Sequence, residues 1–291
     1  MRFGVREICN VVFKATANNQ KVGSKLFAKG EPVIYFDSLK TSTMEQATTT
    51  VYAQGGRGNT RLVAWEGEKT LTFTMEDALI SEMGLAILAG ANLYDADDPN
   101  MEKTLLVHVT ETCKGAAISK APTQDDAVKF YALKLNDNGD IAGEPIVVTY
   151  DATGEGPYAP KEEGIDAEDL YLVDYYVEKT SGTIQIDIEP QSFGGNFYIE
   201  ADTLFRDTVG ADHAAQFVIP NGKIQSNFTL TMASSGDPST FTFTVDAFPG
   251  YVNGDLTKKV MATIQVITDA EDVVNINDPA GDKEDSKPYV D

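Results

Sequence analysis

Thr70-Leu71-Thr72-Phe73-Thr74-Met75 alternates a hydroxyl side chain with an apolar one over six residues. Successive side chains of a β-strand point to opposite faces, so this period of two puts Leu71, Phe73 and Met75 on one face and the threonines on the other. Thr is β-branched and favours extended backbone, which strengthens the reading. Working towards the N-terminus, Glu66-Gly67-Glu68 reads as a break, and Arg61–Glu66 as a second short strand. Gly55-Gly56-Arg57-Gly58-Asn59 reads as a tight turn, since Gly and Asn tolerate positive φ. The Thr-rich, largely polar segment Glu45–Ala53 then reads as one arm of an exposed hairpin. On the other side the period changes. Asp77-Ala-Leu-Ile-Ser-Glu-Met-Gly-Leu-Ala-Ile-Leu88 spaces apolar residues as a helix does, with Asp77 suited to its positive end and Gly90 to its stop. This is the one helix expected.

The same strand signature recurs along the chain. Strands are expected at Val5–Ala15, Pro32–Phe36, Leu105–Thr110, Lys129–Leu135, Pro145–Tyr150, Leu170–Val177 and Thr183–Ile188. More follow at Asn196–Ala201, Ala215–Ile219, Lys223–Met232, Thr240–Val245 and Lys259–Ile267. Asn136–Asp140 and Ser234–Pro238 read as turns, and the Gly-, Pro- and acid-rich Asp151–Glu168 as a linker. Thr240-Phe-Thr-Phe-Thr-Val245 echoes Thr70–Met75, either as ordinary half-buried strand alternation or as the mark of two related β-modules. The fold class is therefore mainly β: a β-sandwich or rolled antiparallel sheet with one flanking α-helix and room for an additional inserted β-module.

Charge and composition narrow the function. The 291 residues hold 45 Asp and Glu against 23 Lys and Arg, a net charge of −22. Such a surface repels nucleic acid. Residues 268–291 carry eight acids and two lysines and read as a flexible acidic tail. The start of the chain does not read as a signal peptide, and no apolar run reaches the roughly 20 residues of a spanning helix. Cys9 and Cys113 are expected as free thiols, mostly buried.

No constellation points to catalysis. His108 and His213 stand alone, so neither a zinc cluster nor a nucleophile–base pair suggests itself. The loop Asp95, Asp97, Asp98, Asn100, Glu102 offers oxygens but lacks the Gly and the bidentate acid of a calcium loop. Gly55–Asn59 lacks the Lys-Ser/Thr of a phosphate loop. Trp65, the sole tryptophan, is expected to pack in the core. A sugar-binding β-sandwich would show exposed aromatics; Tyr171, Tyr175 and Tyr176 are the nearest candidates, although their Leu and Val neighbours favour packing. Neither a cofactor nor a metal is expected.

Two stretches resemble structural proteins of tailed bacteriophages, tail tube proteins above all. The first runs from Gly55-Gly-Arg-Gly-Asn59 through Leu62, Trp65 and Thr70–Thr74 to Asp77-Ala-Leu-Ile-Ser81. The second runs from Ile219-Pro-Asn-Gly-Lys-Ile224 through Asn227–Thr231 and Gly236–Ser239 to Phe241–Asp246. The resemblance implies a structural virion protein without enzymatic activity. Its sheets would join edge to edge into hexameric rings, and a long hairpin would reach the next ring. The rings would stack into a hollow tube through which DNA passes without specific binding. Other tail proteins (sheath, terminator or baseplate) would be its partners. A head decoration, connector or baseplate protein is the neighbouring alternative. The resemblance places inter-subunit contacts in the hairpin region at Thr41, Glu45, Gly55, Gly56, Arg57 and Asn59. It divides the chain into 1–94 with the helix at 77–89, an inserted or extra β-module and linker at 95–168, a second part of the tube-like β-domain at 169–267, and the tail. An acidic lumen wall would let DNA slide, because a basic one would hold phosphates.

Overall fold

The computed structural model describes residues 2–5, 7–99, 103–125, 127–230, 232, 234–235, 240–252 and 254–268. Five expected features lie outside these residues in whole or part: Arg6 of the strand expected at Val5–Ala15, Asn100 and Glu102 of the acidic loop, Thr231 of the strand expected at Lys223–Met232, the turn at Gly236–Pro238, and the tail from Asp269 onward.

The protein is mainly β, with one helix among the described residues. The strands are β1 (Phe3–Val5), β2 (Asn10–Ala15), β3 (Gln20–Val22), β4 (Lys25–Phe27), β5 (Pro32–Phe36), β6 (Leu39–Gly55) and β7 (Thr60–Asp77). Helix α1 (Glu82–Ala89) follows, then β8 (Asn92–Asp95), β9 (Leu105–Lys114), β10 (Phe130–Lys134), β11 (Ile146–Val148), β12 (Leu170–Lys179) and β13 (Ile184–Asp187). The last four are β14 (Asn196–Asp207), β15 (Asp212–Ile224), β16 (Phe241–Ala247) and β17 (Thr263–Val266). The chain divides into two compact units, residues 1–92 with 188–291, and residues 93–187.

The first unit is built on a nine-stranded sheet of order β5-β2-β14-β15-β16-β7-β6, with β1 on β14 and β17 on β15. Every pairing in it is antiparallel. The Thr/apolar echo is explained here. β7 and β16 are neighbours, with Val245 opposite Phe73 and Phe243 opposite Met75. Phe73, Met75, Phe241, Phe243 and Val245 are all buried. Alternation thus puts the apolar half of both strands into one core and leaves the threonines on the other face. Phe36 joins that core through ring contacts at 4.9 Å to Phe243 and 5.3 Å to Phe13, and Phe13 lies 5.6 Å from Phe197. Ile87 and Leu88 of α1 close it.

Several element boundaries differ from the sequence expectation. The helix starts at Glu82, not Asp77. Asp77 ends β7, and its buried carboxylate accepts hydrogen bonds from Ser38 Oγ (2.5 Å) and Leu79 N (3.2 Å), which turns the chain out of the strand. Ser81 is the N-cap instead, its Oγ accepting from Gly84 N at 3.0 Å. Arg61–Glu66 and Thr70–Met75 belong to one strand. The ladder shifts register between Thr48 and Thr50, and Thr49 Oγ1 accepts from Glu68 N at 2.8 Å, so Glu66-Gly67-Glu68 crosses the bulge without breaking the strand. A Cβ on Gly67 would meet Thr49 Oγ1 at 2.6 Å, which is why this bulge takes glycine. Conversely Val5–Ala15 is two strands, β1 and β2. β15 runs unbroken through Pro220 because the β14 ladder shifts there, from Ile199 opposite Ile219 to Phe197 opposite Gly222. It stops at Ile224, so 225–230 is not the expected strand.

The second unit holds a four-stranded antiparallel sheet of order β11-β10-β12-β9. Its core includes Ile118, Phe130, Val148, Tyr150, Tyr171, Val173 and Tyr175. The hydroxyls of Tyr150 and Tyr175 are satisfied: Tyr150 donates to Ala116 O at 2.8 Å and Tyr175 to Glu111 Oε2 at 2.9 Å. The stretch 151–168 runs within this unit, with Tyr158 bridging Ile118 and Pro160 bridging Tyr150. β8 and β13, near the unit's two ends, pair with each other.

Candidate assembly hairpin

The most exposed regular structure is the far half of the β6–β7 hairpin. Near its base, β7 has β16 on its other side as far as Thr72. Beyond that point, among the described residues, β6 and β7 pair with each other alone, from Glu45 opposite Thr72 to Gly55 opposite Thr60. Every residue from Glu45 to Thr70 is exposed except Ala53 and Gly55. The shorter arm, eleven residues of β6 at about 3.4 Å each, gives a ribbon roughly 35 Å long. Thr is abundant on it, and β-branched residues hold an extended backbone without help from a core.

Its end is closed by the glycine-rich turn. Gly56 and Gly58 take positive φ (78° and 97°), and Asn59 does so at 49°. Asn59 N donates to Gly56 O at 3.2 Å, and Asn59 Nδ2 donates to Gln54 Oε1 at 3.2 Å. Arg61 stacks over the Tyr52 ring at 4.0 Å, clamping the two arms.

The six residues singled out from sequence are therefore split in space. Gly55, Gly56, Arg57 and Asn59 sit together at the tip. Glu45 lies at the root of the free ribbon, and Thr41 lies below it, where its Oγ1 donates to Glu76 Oε2 at 3.2 Å. All but the half-buried Gly55 are exposed.

Sequence reasoning missed the feature between these two groups. Val51 pairs with Trp65 and Ala53 with Val63, so these four side chains share one face of the ribbon. Val51 is 64%, Val63 49% and Trp65 57% exposed. Leu62, at the register shift between Ala53 and Gln54, is exposed as well and lies against Gly55. Trp65 is thus not a core residue. Its alternating surroundings fitted a half-buried strand, but the core ends at Phe73, eight residues along β7. A visible signal was present: Val51, Leu62, Val63 and Trp65 all lie beside or between the Thr-rich arm and the glycine turn of the segment read as a hairpin.

Elsewhere the described residues show no group of three or more His, Cys, Asp and Glu placed to hold a metal ion. Two acids of the 95–98 loop bond to backbone: Asp95 Oδ1 accepts from Asp97 N (3.0 Å), and the Asp97 carboxylate accepts from Gly182 N (3.1 and 3.2 Å). Cys9 is buried and Cys113 half-buried, both free. Burial pushes both thiols up, Cys113 to about 11, with Glu111 adding to the latter. Among the described residues no helix is long and apolar enough to cross a membrane.

No curated protein matches the chain. The family model of the YomU/Tube protein family matches residues 20–264, a span that includes the whole hairpin, the helix and all of the 93–187 unit. With most of its length matched, the chain belongs to the YomU/Tube protein family and is a phage tube-like protein.

Proposed function

We propose that this protein is the subunit of a phage tail tube, assembling with copies of itself into stacked rings that form a hollow conduit for DNA. The observation that carries the reading is the projecting ribbon with Val51, Val63 and Trp65 on one face. Exposed contiguous apolar surface marks a contact site. At about 35 Å the ribbon is long enough to reach a neighbouring subunit. The large sheet supplies the other contact: its path ends in β5 and β6, whose outer edges have no strand partner among the described residues and suit pairing with another chain. The net charge of −22 fits a wall along which DNA moves without sticking. Its place is the virion tail, with sheath, terminator or baseplate proteins as further partners, and its role is structural.

Negative-stain electron microscopy of the purified chain, over a range of concentration and salt, tests the reading. Salt is varied because screening weakens repulsion between acidic subunits. Uniform hollow rings or tubes of one diameter are expected. Dispersed monomers under every condition would overturn it.

A further inference from the structure

The 93–187 unit presents a second face with a different chemistry. On β12, Tyr171, Val173 and Tyr175 are buried on the inner side of the four-stranded sheet, so alternation turns Leu172, Asp174 and Tyr176 to the outer side. Of the three tyrosines considered from sequence, only Tyr176 turns to the outer side, where it is half-buried and also touches the core cluster. β10 alternates likewise, with Phe130 and Ala132 inward and Tyr131 and Leu133 outward. The pairing register assembles the outer residues in rows. Tyr176 stands opposite His108; Asp174 stands between Thr110 and Tyr131; Leu172 stands between Thr112 and Leu133. His108 Nε2 and Asp174 Oδ1 are joined across the diagonal, their side chains 52% and 40% exposed. The His108 ring also lies 5.4 Å from that of Tyr176.

We propose that this outer face binds neutral saccharides. A pyranose ring offers a patch of C–H groups on its flat face and hydroxyls around its edge. It is held by an aromatic platform beside planar groups that accept and donate hydrogen bonds. Tyr131 is exposed and Tyr176 half-buried, and they sit on neighbouring strands one diagonal apart, about 7–8 Å between anchor points. Asp174 stands opposite Tyr131 and two residues from Tyr176, with Thr110 in the same row and its partner His108 on β9, on the other side of Tyr176. Because Asp174 and His108 hold each other, they lose little rotamer freedom when a ligand arrives. Other occupants fit the face less well. Polar groups interrupt its apolar surface, unlike the core of a protein–protein interface. A carboxylate at its centre, on a chain of net charge −22, opposes phosphates and other anions. The proposal involves residues 108–176 alone and does not depend on tube assembly.

Saturation-transfer NMR of the full chain with cellobiose, lactose, maltose and chitobiose at millimolar concentration tests it. Transfer to the C–H protons of at least one disaccharide is expected. It should fall at least tenfold in Tyr131→Ala and in Asp174→Asn and survive in Tyr131→Phe, which keeps the ring. Thermal unfolding of Tyr131→Ala should match the parent, since this side chain lies outside the core. Absence of transfer from all four sugars, or transfer indifferent to both substitutions, would overturn the proposal. So would a Tyr131→Ala chain whose sedimentation changes while its sugar signal does not, which would make the face a protein contact.

Discussion

Replacing Trp65 by Ser separates a docking residue from a core residue. Trp65 is 57% exposed on a ribbon that packs against no core. A Trp side chain buries up to about 250 Å². Covering the exposed fraction would therefore remove roughly 140 Å² from water, worth about 3.5 kcal/mol at about 25 cal/mol per Å². Part of that is offset by ordering the ribbon on docking, so a loss of at least ~1.4 kcal/mol per contact, a tenfold change in equilibrium constant, is the conservative figure. The concentration at which rings or tubes appear should rise at least tenfold in Trp65→Ser, read by sedimentation and electron microscopy. The unfolding free energy of the unassembled chain should stay within about 0.5 kcal/mol of the parent, as for other surface substitutions. A Trp65→Ser chain that loses several kcal/mol of stability, or one that assembles at the parental concentration, would rule out a docking role for Trp65.

Two further substitutions probe the fold. Gly90→Ala should destabilise the first unit by more than about 2 kcal/mol, measured by denaturant unfolding. Gly90 caps α1 at φ +63°, and a Cβ there would meet the Phe193 backbone at 2.3 Å, so a parental midpoint would contradict this account of the cap. Glu111→Gln should cost about 1–3 kcal/mol at neutral pH. Burial alone would push the Glu111 carboxyl up, but hydrogen bonds from Ser119 N (2.9 Å), Tyr175 Oη (2.9 Å) and Ser119 Oγ (3.0 Å) outweigh it and hold the carboxyl below its usual range. A depressed folded-state value means the stabilisation is fully present above the unfolded value of about 4.3 and is lost as pH falls through the folded one. The gap between parent and variant should therefore narrow in acid, and a gap constant from about pH 7 to pH 3 would count against the assignment.

Local alternation was enough to determine much of this protein. Side chains along a strand must alternate faces, so Thr70–Met75 and Thr240–Val245 declared themselves strands, and Pro32–Phe36 appears with the bounds expected from its sequence. The turn at Gly55–Asn59 was equally legible, because positive φ selects Gly and Asn. What alternation does not encode is which neighbour a strand meets. Only the tertiary structure placed β7 beside β16 and merged Arg61–Glu66 with Thr70–Met75, through a hydroxyl of Thr49 that lies 19 residues from Glu68. The same limit explains Trp65. Its period of two said that it sits on a strand face, and whether that face meets a core or solvent depends on where the β7–β16 pairing ends. Tyr131, Asp174 and His108 come from three strands separated by long loops, and the sheet's register alone brings them onto one face.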